Sequence, residues 1–406
     1  MSAFYDQASL VVVPSGYKSG KIYAQKPLTT DGQLTFTRAS TATRVNASGL
    51  IETVSSGVPR LDYQGSTCPK LLLEPQRTNL FTYSEQLDNA AWVKNVTTIT
   101  ANAIVAPDGT TTADKMADSD TTTAARYTFQ SPASSGTIYT SSGYFKKGEY
   151  NFVTLHAFGI NGAVFNLDTG VKVSQSGGVG SIVSVGNGWY RCSFVFTAGG
   201  SSVFFSQSPA GNISYAGTTG SGIYAWGLQV ETGAYATSYI PTTSAAVTRL
   251  ADMSGTTNYF GAQTFAGDFT FFVDLLPMEG NTGISDAMIL GGGDYNGGGN
   301  FQSYFRFASG NIILRGVAEA LIISRSYTMN ANQQYKILVT RTGTTVKIFA
   351  NGAQVGASAT SSTSVILRSL GWSYIQASYN YDGRINQVLL MPSGLTDAQA
   401  IELTTL

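Results

Sequence analysis

Along most of this chain apolar and polar residues alternate in short runs, the period of a β-strand, and the runs are closed by Gly, Asn and Pro. The clearest run starts at Ile223. Tyr224, Trp226, Leu228 and Val230 alternate with Ala225, Gly227, Gln229 and Glu231, which predicts a strand with one buried face. Glu231-Thr-Gly then reads as a turn, and Ser238-Tyr-Ile-Pro-Thr as a polar exit whose proline ends the pairing. The segment looks like the last strand of a sandwich leaving for another module. Upstream, alternation predicts strands over 137–145, 151–158, 163–167, 182–185, 189–197 and 202–207, with turn signals at Lys147-Gly148, Asn161-Gly162 and Asn187-Gly188.

Three regions follow from this texture. Residues 1–95 carry only short apolar runs, such as Leu10-Val-Val-Val-Pro14, Leu34-Thr-Phe-Thr-Arg38 and Leu71-Leu-Leu-Glu-Pro75. They predict irregular and short-strand structure that buries these runs against a partner. Residues 96–250 predict a first sandwich and residues 251–406 a second. The second opens with Phe269-Thr-Phe-Phe-Val-Asp-Leu-Leu276. It continues through a hairpin over 335–350 and an Asn351-Gly352 turn to a strand from Asp382. Thr396 and Gln399 have capping-box spacing, which predicts a closing helix with an apolar face of Ala400, Ile401 and Leu403.

Composition narrows the function classes. The 406 residues are 43% hydrophobic, enough for real cores, but only 12% charged, about half the usual 25%. Formal net charge is zero and no Lys/Arg run occurs, so the electrostatic footprint of a nucleic-acid binder is missing. No apolar run is long enough to predict a membrane-spanning helix. The first residues lack the basic and apolar parts of a signal peptide, which predicts synthesis in a cytoplasm. Cys68 and Cys192 are the only cysteines, too few for a disulfide framework or a thiolate zinc site. Cys192 shares a strand face with Tyr190, Phe194 and Phe196 and is expected to be a buried thiol.

Candidate chemistry is sparse. His156, the only histidine, shares a face with Phe152, Thr154 and Phe158, which suits a core or ligand-face residue. Hydrolysis of glycans needs two carboxylates at a set spacing. A Glu-x-Asp-x-Glu strand is absent, and Glu279, Glu319 and Glu402 stand apart, so no enzyme is expected. Asp114, Asp118 and Asp120 cluster in sequence and read as either a calcium-binding loop or a solvated turn. The loop Gly291-Gly-Gly-Asp-Tyr-Asn-Gly-Gly-Gly-Asn300 offers Asp294, Asn296 and Asn300 as polar partners and Tyr295 as a stacking face. That set suits a sugar, and it also suits an inert loop. Trp372, Tyr374, Tyr379 and Tyr381 crowd another segment. On a sandwich rim they would stack on pyranose rings, and inside a sheet they would be core.

Several blocks carry a family resemblance. Phe36-Thr-Arg-Ala-Ser-Thr-Ala-Thr-Arg44, Gly49-Leu-Ile-Glu52, Pro59-Arg-Leu-Asp-Tyr63 and Glu74-Pro-Gln-Arg-Thr-Asn-Leu80 occur in order, followed by Gly188-Trp-Tyr-Arg191 and Ala236-Thr-Ser-Tyr-Ile-Pro-Thr242. Together they resemble the tail-fibre and head-fibre (spike) proteins of bacteriophage virions, whose middle module is a jelly roll similar to carbohydrate-binding modules. The C-terminal order of hairpin, Asn-Gly turn, Asp382-Gly-Arg-Ile strand and closing helix is similar to the laminin-G/concanavalin-like lectins. The resemblance implies a virion protein of head, collar or tail. It implies a homotrimer, attachment to other virion proteins through residues 1–95, and adhesion to host glycans. A spacer or decoration protein without glycan affinity is the rival expectation, and a depolymerase the third.

Overall fold

The computed structural model describes residues 2–28, 32–252, 262–278, 287–292, 303–371 and 381–406. Nearly all regular structure is antiparallel strand, arranged as two sandwiches with N-terminal strands laid across them.

The first sandwich is a jelly roll. One six-stranded sheet has the order Val93–Asn95, Tyr127–Gln130, Val203–Ser208, Phe152–Ala157, Ile160–Asn166, Val171–Ser176. The other has the order Thr97–Ile104, Ala113–Asp118, Gly222–Thr232, Ile138–Lys147, Trp189–Thr197, Gly178–Gly186. The chain crosses repeatedly between sheets, which places each late strand between two early ones, the Greek-key pattern. Between the sheets lies a core that includes Phe81, Trp92, Phe145, Leu155, Phe165, Cys192, Phe194 and Phe205. Cys192 is wholly buried there, as the alternation predicted.

The Gly222–Thr232 strand departs from its simple alternation. Gly227 takes a positive φ of 61°, and the register with Ile138–Lys147 shifts between Ser142 and Tyr144. This bulge reverses the facing of everything after it. Ile223, Ala225, Leu228 and Val230 therefore point into the core, while Trp226 packs on the opposite face with Tyr144 and Tyr239. Nor does the Ser238-Tyr-Ile-Pro segment leave the module. It folds back over its own strand: the Thr237 amide donates to Glu231 Oε1 (2.9 Å), and the Ile240 amide donates to Gln229 Oε1 (2.8 Å). Tyr239 packs on Trp226 with centroids 4.7 Å apart.

In the second sandwich a nine-stranded sheet faces a five-stranded one. Phe269–Pro277 and Gly383–Met391 form its centre. The hairpin of Tyr335–Thr342 and Thr345–Ala350 is present, and Asn351 and Gly352 both take positive φ, as their turn requires. The closing helix, Asp397–Thr404, has both halves of the Thr396/Gln399 capping box. Its buried face is Ala400, Leu403 and Thr404, whereas Ile401 is exposed.

The short N-terminal runs find their partner within the chain. Leu10–Val12 pairs with Gly383–Met391, in register Leu10↔Leu390, and Lys70–Leu73 pairs with the same strand from Gly383↔Leu73. Leu10, Val12, Leu34, Phe36, Leu71 and Leu73 join the core of the second sandwich, while Phe81, Leu87 and Trp92 join the jelly roll. The described residues of 1–95 are therefore divided between the two sandwiches.

Candidate functional site

Four of the sequence blocks, those that hold Arg38, Arg60, Glu74 and Ser238, meet in one buried ionic hub. Arg60, fully buried, donates from Nη1 to Glu74 Oε2 (2.6 Å) and to Ser238 Oγ (2.7 Å), and from Nη2 to Asp252. Arg38 Nη1 donates to Asp252 Oδ1 (2.9 Å), and Arg249 Nη1 lies 3.1 Å from Glu74 Oε2. Three guanidiniums thus share two carboxylates. Burial by itself would raise the Glu74 carboxyl, but Arg249, Arg60 and the Ser238 hydroxyl hold it well below the usual range. The hub clamps the N-terminal strands to the Ser238-Tyr-Ile-Pro return and to the start of the second sandwich. Its carboxylates are engaged by several donors each, and its charged side chains are out of reach of solvent. It is structural.

A latch beside the hub joins the modules. Tyr235 Oη donates to Asp382 Oδ2 (2.7 Å), while Asp382 Oδ1 is buried without a hydrogen-bond partner among the described residues. Burial pushes this carboxyl from 3.8 up to about 7, against the opposing pull of Tyr235 and Arg77. The folded chain therefore keeps a proton that the unfolded chain has released above about pH 4. This group's contribution to stability is complete at low pH and declines as pH rises from about 4 to 7. Asp382→Asn is expected to flatten that decline. Urea midpoints at about pH 4 and pH 8 should differ less in the variant than in the wild type.

Two surfaces remain open. The first is the outer face of the jelly roll's first sheet, where Tyr127, Phe129, Phe152 and Phe204 are partly exposed and Phe158 is 59% exposed. The register places Phe129, Phe204 and His156 in one row across three strands. Phe204 stacks on His156 (centroids 4.8 Å, 11° between planes), and Tyr127 meets Phe204 edge-on at 5.1 Å. Burial pushes the His156 imidazole down to about 4, so it is neutral near pH 7, with Nε2 2.9 Å from Ser206 Oγ. Thr154 Oγ1, in the middle of this face, has no hydrogen-bond partner. None of these five aromatics belongs to a buried core among the described residues. They form an aromatic platform that covers the Thr154 and Ser206 hydroxyls.

The second surface is a cleft of about 580 Å³ between the sandwiches, floored by N-terminal residues. One wall is the outer face of the jelly roll's second sheet, with Val179, Ser181 and Val183 on its edge strand and Arg191, Ser193 and Val195 beside them. Met278, Asn332 and Arg384 of the second sandwich form the facing wall. The two carboxylates that line the cleft are tied down: Asp62 accepts from Arg384 Nε (2.7 Å), and Glu74 belongs to the hub.

The residues singled out from sequence fall elsewhere. Asp294, Tyr295, Asn296, Asn300, Trp372 and Tyr374 lie outside the described residues, as does Tyr379, while Tyr381 is core. Asp114, Asp118 and Asp120 are not gathered in one loop: Ala113–Asp118 is a strand, and Asp114 and Asp118, four positions apart along it, are separated by roughly 13 Å. Asp114 accepts from the amides of Leu87 (2.7 Å) and Asn102 (2.9 Å). Asp118 accepts from the hydroxyls of Tyr150 (2.6 Å) and Tyr215 (2.7 Å), and Asp120 bonds Thr122 and Arg126. Among the described residues no three His, Cys, Asp or Glu side chains converge to hold a metal.

Fold and surfaces define an all-β protein of two antiparallel sandwiches, the first of them a jelly roll. No protein-family model and no curated protein sequence matches the chain. Among solved structures it is similar to the CBM40 domain of the Ruminococcus gnavus IT-sialidase bound to α2,3-sialyllactose, at 13% identity and a TM-score of 0.28, over 35% of this chain and 84% of that one. Domain 4 of AbnA, an extracellular arabinanase from Geobacillus stearothermophilus, in complex with arabinotriose, aligns at 14% identity and a TM-score of 0.26, over 35% of this chain and 68% of that one. Domains LG4-5 of the mouse laminin α1 chain align at 8% identity and a TM-score of 0.22, over 68% of this chain and 90% of that one. Alignments this loose carry nothing about ligand or activity, and fold alone does not imply function.

Proposed function

We propose that this chain is an adhesion protein that binds cell-surface glycans without cleaving them, and that it serves as a fibre or spike component of a bacteriophage virion. The observation that carries the binding reading is the aromatic platform of Tyr127, Phe129 and Phe204. A spacer has no use for a partly exposed aromatic row, whereas the apolar faces of pyranose rings stack on one. The tied-down state of Asp62 and Glu74 suits binding rather than proton transfer. The virion role rests on the ordered sequence blocks described above. A homotrimer would let weak sites act together through avidity.

The test is a glycan array probed with the full chain. Wild type is expected to bind, and Tyr127→Ala and Phe204→Ala each to weaken binding roughly tenfold, the loss of one aromatic contact. No glycan bound, or no effect of either substitution, would overturn the reading. For the virion role, light scattering is expected to give three times the 42.9 kDa chain mass. A mass that stays at one chain at all concentrations would remove the trimer.

A further inference from the structure

We propose that the cleft between the sandwiches is a second saccharide site, selective for acidic sugars, with Arg191 as the receptor for the sugar carboxylate. The proposal rests on the glycan-binding reading for the class of ligand, but it uses different residues on a different face.

The cleft wall is an ordered grid. Antiparallel register sets Tyr144, Arg191 and Val183 in one row, Ser193 and Ser181 in the next, and Val195 and Val179 in the third. All seven line the cleft. Val179 is 59% exposed and Val183 47%, so the apolar rows face open space instead of a core. Val183 on one side of the paired serine hydroxyls and Val195 with Val179 on the other suit a ring with apolar C–H faces and hydroxyl edges. The volume, about 580 Å³, lies within the roughly 300–1,000 Å³ of small-ligand clefts.

Arg191 supplies the selectivity. Of the three arginines that line the cleft, Arg44 is paired with Glu52 and Arg384 with Asp62. Arg191 has no ion pair among the described residues. Its guanidinium lies over the Tyr144 ring at 5.4 Å and donates from Nη2 to the Thr237 carbonyl, with Ser142 Oγ 3.4 Å away. Its Nε is buried with no hydrogen-bond partner among the described residues. A guanidinium cannot shed its proton, and the buried Glu231 carboxylate attracts Arg191 only at longer range than an ion pair, so a carboxylate in the cleft would add the close contact it lacks. A carboxylate matches the planar fork, and the clamp on Tyr144 and Thr237 means that little further ordering is needed when the ligand arrives.

The experiment compares the binding of trigalacturonic acid with that of its methyl ester by titration calorimetry on the full chain. The wild type is expected to bind the acid at least about tenfold more tightly, a preference that shrinks as salt rises. Arg191→Gln is expected to bring both affinities to the level of the ester, and Arg191→Lys, which keeps the charge but loses the fork, to fall between. Because Arg191 also holds Thr237, Ser181→Trp provides an independent probe. This exposed position tolerates bulk, and the indole would fill the cleft and abolish binding of both ligands. Equal affinity for acid and ester in the wild type would overturn the acidic selectivity while leaving the glycan reading intact. Binding that survives Ser181→Trp but is lost in Tyr127→Ala would place the sugar on the aromatic platform and overturn the cleft site. Loss of all glycan binding in the wild type would defeat both.

Discussion

Glu74→Gln is expected to destabilise the chain by about 3–5 kcal/mol, read as a lowered urea midpoint at unchanged slope. The substitution keeps the shape and takes away one charge. In the wild type Arg38, Arg60 and Arg249 are balanced by Glu74 and Asp252, a formal excess of one positive charge. In the variant the three buried guanidiniums face the Asp252 carboxylate alone, and the desolvation of the others is no longer offset. The Ser238 amide and hydroxyl, which donate to Glu74 at 2.7 and 2.6 Å, lose a charged acceptor as well. Lys347→Met is the control. Its pair with Asp397 is exposed, so a loss of no more than about 1 kcal/mol is expected. If the two variants lost the same small amount, the hub would not be what joins the N-terminal strands to the rest. Glu74 also fixes a direction with pH. Its carboxyl is held below its unfolded value, so its contribution is present above the ordinary carboxylate range and is lost as pH falls through it, opposite in sign to Asp382.

The sequence disclosed the strands better than their company. Alternation placed Trp189–Thr197 to the residue and Val203–Ser208 within one, because both are long and have one consistently buried face. It failed at Gly227, where a single positive φ reverses the facing and no composition signal separates a bulge glycine from a turn glycine. It failed again on residues 1–95. A three-residue strand such as Leu10–Val12 pairs with residues near 390, and nothing local specifies a partner that far along the chain. Asp114 and Asp118 looked like a solvated cluster because acidic residues rarely face a core. Here they are internal acceptors for amides and tyrosines. The aromatic platform was half visible. Phe152, Thr154 and His156 were correctly set on one face, but Val153 and Leu155 on the other face are equally apolar. Which side met solvent was therefore undecided until the register joined them to Phe204 and Tyr127. The cleft had no signal beyond the Val-x-Ser-x-Val of its edge strand, since it exists only once two sandwiches and an N-terminal floor are brought together.

Gly222→Ala is expected to be the most damaging small substitution in the jelly roll, with a loss of about 4 kcal/mol or more. The reason is space, since Gly222 is not among the residues with positive φ. It sits opposite Ala117 where Gly222–Thr232 pairs with Ala113–Asp118, and a Cβ there would lie 1.8 Å from the Met116 carbonyl oxygen and 2.7 Å from Ala117 Cα. Both are backbone atoms of the neighbouring strand, so no side-chain rotation relieves the clash. The strands would have to part, which breaks the ladder at the point where the Gly222 amide donates to Glu149 Oε2 (3.0 Å) and the Gly222 carbonyl accepts from the Tyr150 amide (3.0 Å). Gly267→Ala is the matched control, because a Cβ there meets nothing within 4 Å and its φ is not positive. A change within about 0.5 kcal/mol is expected. The measurement is urea unfolding followed by tryptophan fluorescence, since Trp92, Trp189 and Trp226 all belong to this module. A Gly222→Ala protein as stable as Gly267→Ala would mean that these two strands are not paired in this register. The central strand would then not divide the core from the face that Tyr239 covers, and the Arg191 wall of the cleft would lose its support.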